Sequence, residues 1–123
     1  MPVRETVQRW VLPQQTWASG VTAAKSFTYK IEGRIEQIEV KINNNTGDRT
    51  LTLAIASQNG ATLFSQAAIA ENATTRYNAN SEKGTQDASY DAFLVDEICT
   101  FTVTPSGDPG TSGMTADIVL YGR

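Results

Sequence analysis

The sequence predicts an all-β fold: an antiparallel β-sandwich, with the jelly roll as the topology that suits its length. Three observations carry this expectation. Apolar residues recur with period two wherever a pattern can be read. Turn residues punctuate the chain at short intervals. No stretch carries a 3.6-residue apolar stripe of helix length. At 123 residues the chain has room for one domain. An up-and-down barrel is the second architecture compatible with the pattern.

The N-terminal segment, 1–19, stands apart from the rest, 20–123, which reads as a single sandwich domain. It holds both tryptophans, Trp10 and Trp17, with Val7, Val11 and Leu12. Thr6–Leu12 reads as the start of a strand that Pro13 stops, because proline has no N–H to give a sheet. Two readings stay open. The tryptophans pack on the domain edge as most aromatics do, or the segment is a docking arm whose Val7, Trp10, Leu12 and Trp17 form an interface.

Further strands follow in order. Ser26–Ile31 sets Phe27, Tyr29 and Ile31 on one face, and Gly33 marks a turn or bulge. Arg34–Ile42 sets Ile38, Val40 and Ile42 on one face, and Thr50–Ala56 does the same with Leu51, Leu53 and Ile55. The Asn- and Gly-rich stretch 43–48 between them predicts a β-hairpin. Ser57-Gln58-Asn59-Gly60 is another turn, and Ala61–Ala70 a strand anchored by Leu63, Phe64 and Ile69. Glu71–Ser89 reads as a long polar loop, with room for a short strand at Thr74–Tyr77. Tyr90–Leu94, Cys99–Thr104 and Met114–Tyr121 complete the set, the last two separated by a turn at Pro105–Gly110.

Composition removes whole classes of chemistry. There is no histidine, which excludes Ser–His–Asp and Cys–His catalysis and every His-based metal site. The single cysteine, Cys99, has no partner for an internal disulfide. Its phase with Phe101 and Val103 makes it a buried thiol. The net charge of −3 argues against nucleic acid as a partner. No apolar run approaches the roughly 20 residues that span a bilayer, so no membrane partner is expected. Residues Met1–Trp10 lack the apolar core of a signal peptide.

The remaining motifs resolve into structure. Glu32, Glu36 and Glu39 lie close in sequence, but Glu36 and Glu39 fall on opposite strand faces and cannot converge within one strand. Strand glutamates ordinarily solvate an outer face, so a glycosidase pair is not expected. Asp87, Asp91, Asp96 and Glu97 are oxygen donors suited to calcium, but their spacing does not resemble the EF-hand loop. The Gly-rich run 107–113 lacks the lysine and helix of a phosphate loop and reads as a turn. Asn44-Asn45-Thr46 and Asn72-Ala73-Thr74 fit the glycosylation pattern without a secretory context. Ile31-Glu32-Gly33-Arg34 matches a protease recognition sequence but lies inside the strand pattern. No cofactor is expected. A glycan platform would have to come from Trp10, Trp17, Tyr77 or Tyr90.

Two stretches carry a resemblance. The run from Thr100-Phe101-Thr102-Val103-Thr104-Pro105 through Gly113-Met114-Thr115-Ala116 to Tyr121-Gly122 resembles the ending of small β-sandwich virion structural proteins of tailed bacteriophages, of the capsid decoration or cement type. The pair Gly33–Val40 and Thr50–Leu53 is similar to them as well. The resemblance implies a capsid-associated or tail-associated β module present in many copies, and the leading expectation is a non-enzymatic virion protein, assembled in the host cytoplasm and bound to the outer capsid. Its partners would be the major capsid protein or other virion proteins, and its own state a homo-oligomer, a trimer if it sits at a capsid threefold position. Val7, Trp10, Leu12 and Trp17 are the expected interface. The alternative is a tail, baseplate or fibre module that binds a host surface glycan.

Overall fold

The computed structural model describes residues 7–80, 88–91 and 93–123. Nine strands are present among them: β1 (Gln8–Val11), β2 (Gln15–Trp17), β3 (Lys25–Ile42), β4 (Leu51–Ala56), β5 (Thr62–Ile69), β6 (Ala73–Asn80), β7 (Ala88–Asp91), β8 (Phe93–Pro105) and β9 (Met114–Gly122). They form one curled sheet in the order β1-β9-β3-β8-β4-β5, with β2 also on β9 and β6 also on β3. All pairings are antiparallel except β6–β7. The all-β class therefore stands.

The long strand β3 joins the two halves of the sheet. Its first half, Lys25–Ile35, pairs with β8, and its second half lies between β9 and β6. In the first half the odd-numbered residues turn inward: Phe27 and Tyr29 pack against the core, and Ile31 and Ile35 are buried. In the second half the even-numbered Ile38, Val40 and Ile42 are buried instead. The switch needs one extra residue. The register against β9 runs Ile35↔Gly122 and then Gln37↔Tyr121, so Glu36 is the extra residue of a bulge. A bulge keeps the apolar side inward while bending the strand.

Gly33 does not end a strand, as the sequence reading allowed. It lies within β3 at φ +144°, where a Cβ would meet the Arg123 carbonyl oxygen at 2.8 Å and the Trp10 ring at 3.0 Å. Only glycine suits that backbone beside those neighbours.

Two expectations are corrected. The stretch 43–48 is not a hairpin turn, because β3 and β4 do not pair with each other. β3 is occupied by β9, β6 and β8, and β4 pairs with β8 and β5. Turn residues signal a chain reversal but not which strand becomes the neighbour. The hairpin is β4–β5, closed at Ser57–Gly60. The second correction concerns the long polar loop. Ala73–Asn80 is a full strand on β3, and its polar side chains have partners there. Arg76 Nε lies 2.8 Å from Glu39, and Gln37 Nε2 donates to Asn78 at 2.7 Å. Residues 81–87 of that expected loop lie outside those described.

One core joins the halves. It runs from Leu12, Trp17 and Met114 through Ile38 and Leu120 to Phe101, Leu53, Ile55 and Phe64. Phe27 stacks on Phe101 at 5.3 Å between ring centres.

The protease-like sequence Ile31–Arg34 sits in the middle of β3. Glu32 and Gly33 face Asp96 and Val95, and the Arg34 N–H donates to the Arg123 carbonyl at 2.7 Å. A protease binds an extended, unpaired segment, so cleavage has to await opening. An enzyme of that specificity should leave the native protein intact and cut after Arg34 once urea unfolds it. Rapid cutting of the native protein would contradict the central position of β3.

Candidate interaction edge

β9 has β3 on one side and the N-terminal segment on the other. β1 lies along Val119–Gly122 and β2 along Met114–Ala116. Among the described residues no strand lies beyond β1, so its far side is a sheet edge. Pro13 divides the two short strands, and its place in the ladder explains why a proline is tolerated. The Leu12 N–H donates to Ile118 at 3.0 Å, which puts Leu12, and by alternation Trp10 and Gln8, in bonding phase with β9. Val7, Arg9, Val11 and Pro13 occupy the opposite phase, whose backbone groups point to the open edge. A proline there costs β9 nothing.

The same alternation sorts the side chains. Trp10 and Leu12 face inward, whereas Val7 and Val11 are 63% and 52% exposed. Arg9 is exposed between them. Of the four residues named from sequence, Leu12 and Trp17 are buried in this chain's own core, and Trp10 is half-buried against it. The Trp10 ring covers the bend where Gly33 meets the end of β9, and a Cβ on Gly122 would fall onto the Arg34 carbonyl. The Trp17 indole N–H donates to the Ala23 carbonyl at 2.8 Å, and the Lys25 ammonium lies 5.5 Å from its ring centre. Val7 is the exposed member. Its companion on the same face, Val11, is not among those four, although counting in twos from Val7 finds it.

An open groove of about 380 Å³ runs past β2, lined by Thr16–Ser19 and Thr111–Thr115. Behind it three loops are laced together by asparagine and aspartate side chains. Asn45, fully buried, accepts from the Arg49 N–H at 2.8 Å and donates to the Arg49 carbonyl at 3.1 Å. Its own N–H donates to Glu71 at 3.2 Å. Asn43 accepts from Thr115 N–H and donates to the Gly113 carbonyl. The Asp108 carboxylate accepts from the N–H groups of Gly110 and Gly20, both at 2.9 Å. Those two bonds hold its pKa below the usual carboxylate value. Its contribution is therefore present above the ordinary pKa and is lost as pH falls through the lowered one. Turn chemistry thus accounts for both Asn- and Gly-rich stretches.

The other candidates are dispersed. Glu36, at the bulge, pairs with Arg123 at 3.2 Å, Glu39 pairs with Arg76, and Glu32 lies 3.5 Å from Lys30. Among the described residues no three acidic or thiol groups cluster as a metal site would need. Asp87 lies outside the described residues, as do the side chains of Asp91 and Tyr90. Tyr77 is half-buried beside Phe64, and burial raises its pKa. Cys99 is buried, and burial together with the charge of Glu97 pushes its thiol pKa up, away from a nucleophile.

No family model and no curated relative matches the chain. Among solved structures it is similar to a chain of the infectious bursal disease virus particle, with a TM-score of 0.49 and 10% identity, over 96% of this chain and 31% of that one. It is also similar to Arthrobacter globiformis isomalto-dextranase complexed with panose, with a TM-score of 0.45 and 13% identity, over 93% and 23% of the two chains. A third likeness is to the capsid of Helicobacter pylori bacteriophage KHP30, with a TM-score of 0.42 and 8% identity, over 96% and 94%. The chain thus spans about a third of the first and about a quarter of the second. One of these neighbours comes from a viral particle, one from a phage capsid, and one is an enzyme.

Proposed function

We propose that this chain is a non-enzymatic structural protein of a virion, a decoration or cement protein that bridges neighbouring major capsid subunits on the outer capsid. It works as a homotrimer, so that one modest contact is repeated around a symmetry axis and gains strength by avidity. The observation that carries the reading is the β1 edge. Val11 on β1 and Val7 just before it stand exposed and in phase, and among the described residues no strand pairs the far side of β1. Exposed apolar edges are a liability that folded proteins ordinarily blunt, and they persist where a partner covers them. In this reading Val7 and Val11 make the contact, while Trp10, Leu12 and Trp17 hold the edge in place from inside.

Replacing Val7 and Val11 together with aspartate tests the proposal. Surface substitutions of this kind change stability by about 0.5 kcal/mol or less. The double variant should melt with the wild type yet bind particles of its own virus at least roughly tenfold more weakly, a change of about 1.4 kcal/mol. Unchanged binding would remove the β1 edge from the account.

A further inference from the structure

We infer that β1 accepts an added strand: an extended partner segment with an apolar–acidic–apolar face, completing the sheet beyond β1. This deepens the virion reading and rests on it for the identity of the partner, but the edge chemistry stands on the following geometry.

The backbone groups of Arg9 and Val11 point away from β9, as the ladder phase at Leu12 requires, and Val7, one residue before β1, continues the same alternation. On the solvent face the side chains of the same three residues form an apolar–basic–apolar row. Among the described residues Arg9 has no ion pair or side-chain hydrogen bond, in contrast to Arg76 and Arg49, which bond to Glu39 and Asp108. An added strand would gain main-chain hydrogen bonds from the edge and specificity from side chains at alternate positions. Opposite charges directly across a ladder are favourable, so the residue facing Arg9 should be Asp or Glu. Pro13 comes next in the outward phase and offers no N–H, which ends the acceptor edge after Val11.

The same geometry disfavours a second copy of this chain. The antiparallel register that uses Val7, Arg9 and Val11 together sets Val7 against Val11 and Arg9 against the second copy's Arg9. Like charges directly opposite are destabilising. The far end of the sheet does not compete. β5 is broken by register shifts against β4, and Ala68 there adopts φ +56°, an irregularity of the kind that protects an edge from pairing.

The test uses the full chain, labelled with nitrogen-15, and two capped heptapeptides, Thr-Val-Thr-Asp-Thr-Val-Thr and its counterpart with Lys in place of Asp. The acidic peptide should produce saturable amide shifts at Arg9 and Val11, and the lysine peptide should bind roughly tenfold more weakly, a difference of about 1.4 kcal/mol. Val11→Pro removes one outward N–H without touching the ladder to β9, whereas Val11→Thr keeps it. Loss of the acidic-peptide shifts in Val11→Pro with retention in Val11→Thr supports strand addition. Absence of β1 shifts in the wild type, or equal binding of both peptides, overturns it. The two failures are distinguishable. Particle binding without peptide binding leaves the virion reading and sinks strand addition. Peptide binding without particle binding does the reverse.

Discussion

Trp17→Ala is expected to destabilise the protein by about 3–5 kcal/mol, the loss typical of emptying a buried tryptophan site. Trp17 is 2% exposed, and its ring lies in the core cluster that also contains Leu12 and Met114. Truncation removes those contacts and the indole hydrogen bond to the Ala23 carbonyl. Few rearrangements could refill the space. β2 is only three residues long, and the Gly113 Cα already sits so close that an added Cβ would lie 2.7 Å from the Trp17 carbonyl oxygen. Urea unfolding followed by circular dichroism checks this, with a lowered midpoint and an unchanged slope. A loss below about 1 kcal/mol would mean that Trp17 lies in an adaptable surface, as typical exposed positions do. Reduced particle binding by this variant would follow from loss of the fold, whereas the Val7 and Val11 variants should lose binding with the fold intact.

The second large effect is expected at Asn45. Asn45→Ala should cost roughly 2–4 kcal/mol, because it deletes two hydrogen bonds and leaves the Arg49 N–H and carbonyl without those partners. The loss should spread, since the Arg49 side chain also reaches the Asp108 carbonyl at 3.2 Å and so ties this loop to the one after β8. Asn45→Asp separates the parts of the interaction. It keeps the acceptor for the Arg49 N–H, loses the donor, and sets a second carboxylate near Glu71, which already accepts from the Asn45 N–H. It should therefore be destabilised at neutral pH and recover part of that loss as the pH falls toward the carboxylate range. Wild-type stability in both variants would show that the loops do not depend on Asn45.

How far the sequence discloses this molecule depends on the distance over which each feature is encoded. Period two is local, so Leu51–Ile55 and Phe101–Val103 announce themselves as strands with one buried face. The change of phase in β3, from Phe27, Tyr29 and Ile31 to Ile38, Val40 and Ile42, is visible as well and marks the bulge. Pairing is not local. Nothing in Asn43–Asp48 tells whether β4 will lie beside β3 or beside β8. Ala73–Asn80 looks like a loop because Tyr77 is its one large apolar side chain, and its strand state is supplied by β3. At the N-terminus the types of residue drew attention to Val7, Trp10, Leu12 and Trp17, but their roles turn on parity. Trp10 and Leu12 face inward while Val7 and Val11 face out, and Pro13 marks where the outward row ends. Which side of β1 lies open follows from the β1–β9 register, which links positions more than 100 residues apart.

The most direct test of the central claim is quantitative mass spectrometry of virions purified from cells carrying the genome that encodes this chain. The chain should co-purify with the particle in fixed proportion to the major capsid protein. The Val7→Asp, Val11→Asp form should be present in the lysate and missing from the particle. A wild-type chain that stays in the lysate while intact particles form without it would contradict the assignment to a virion.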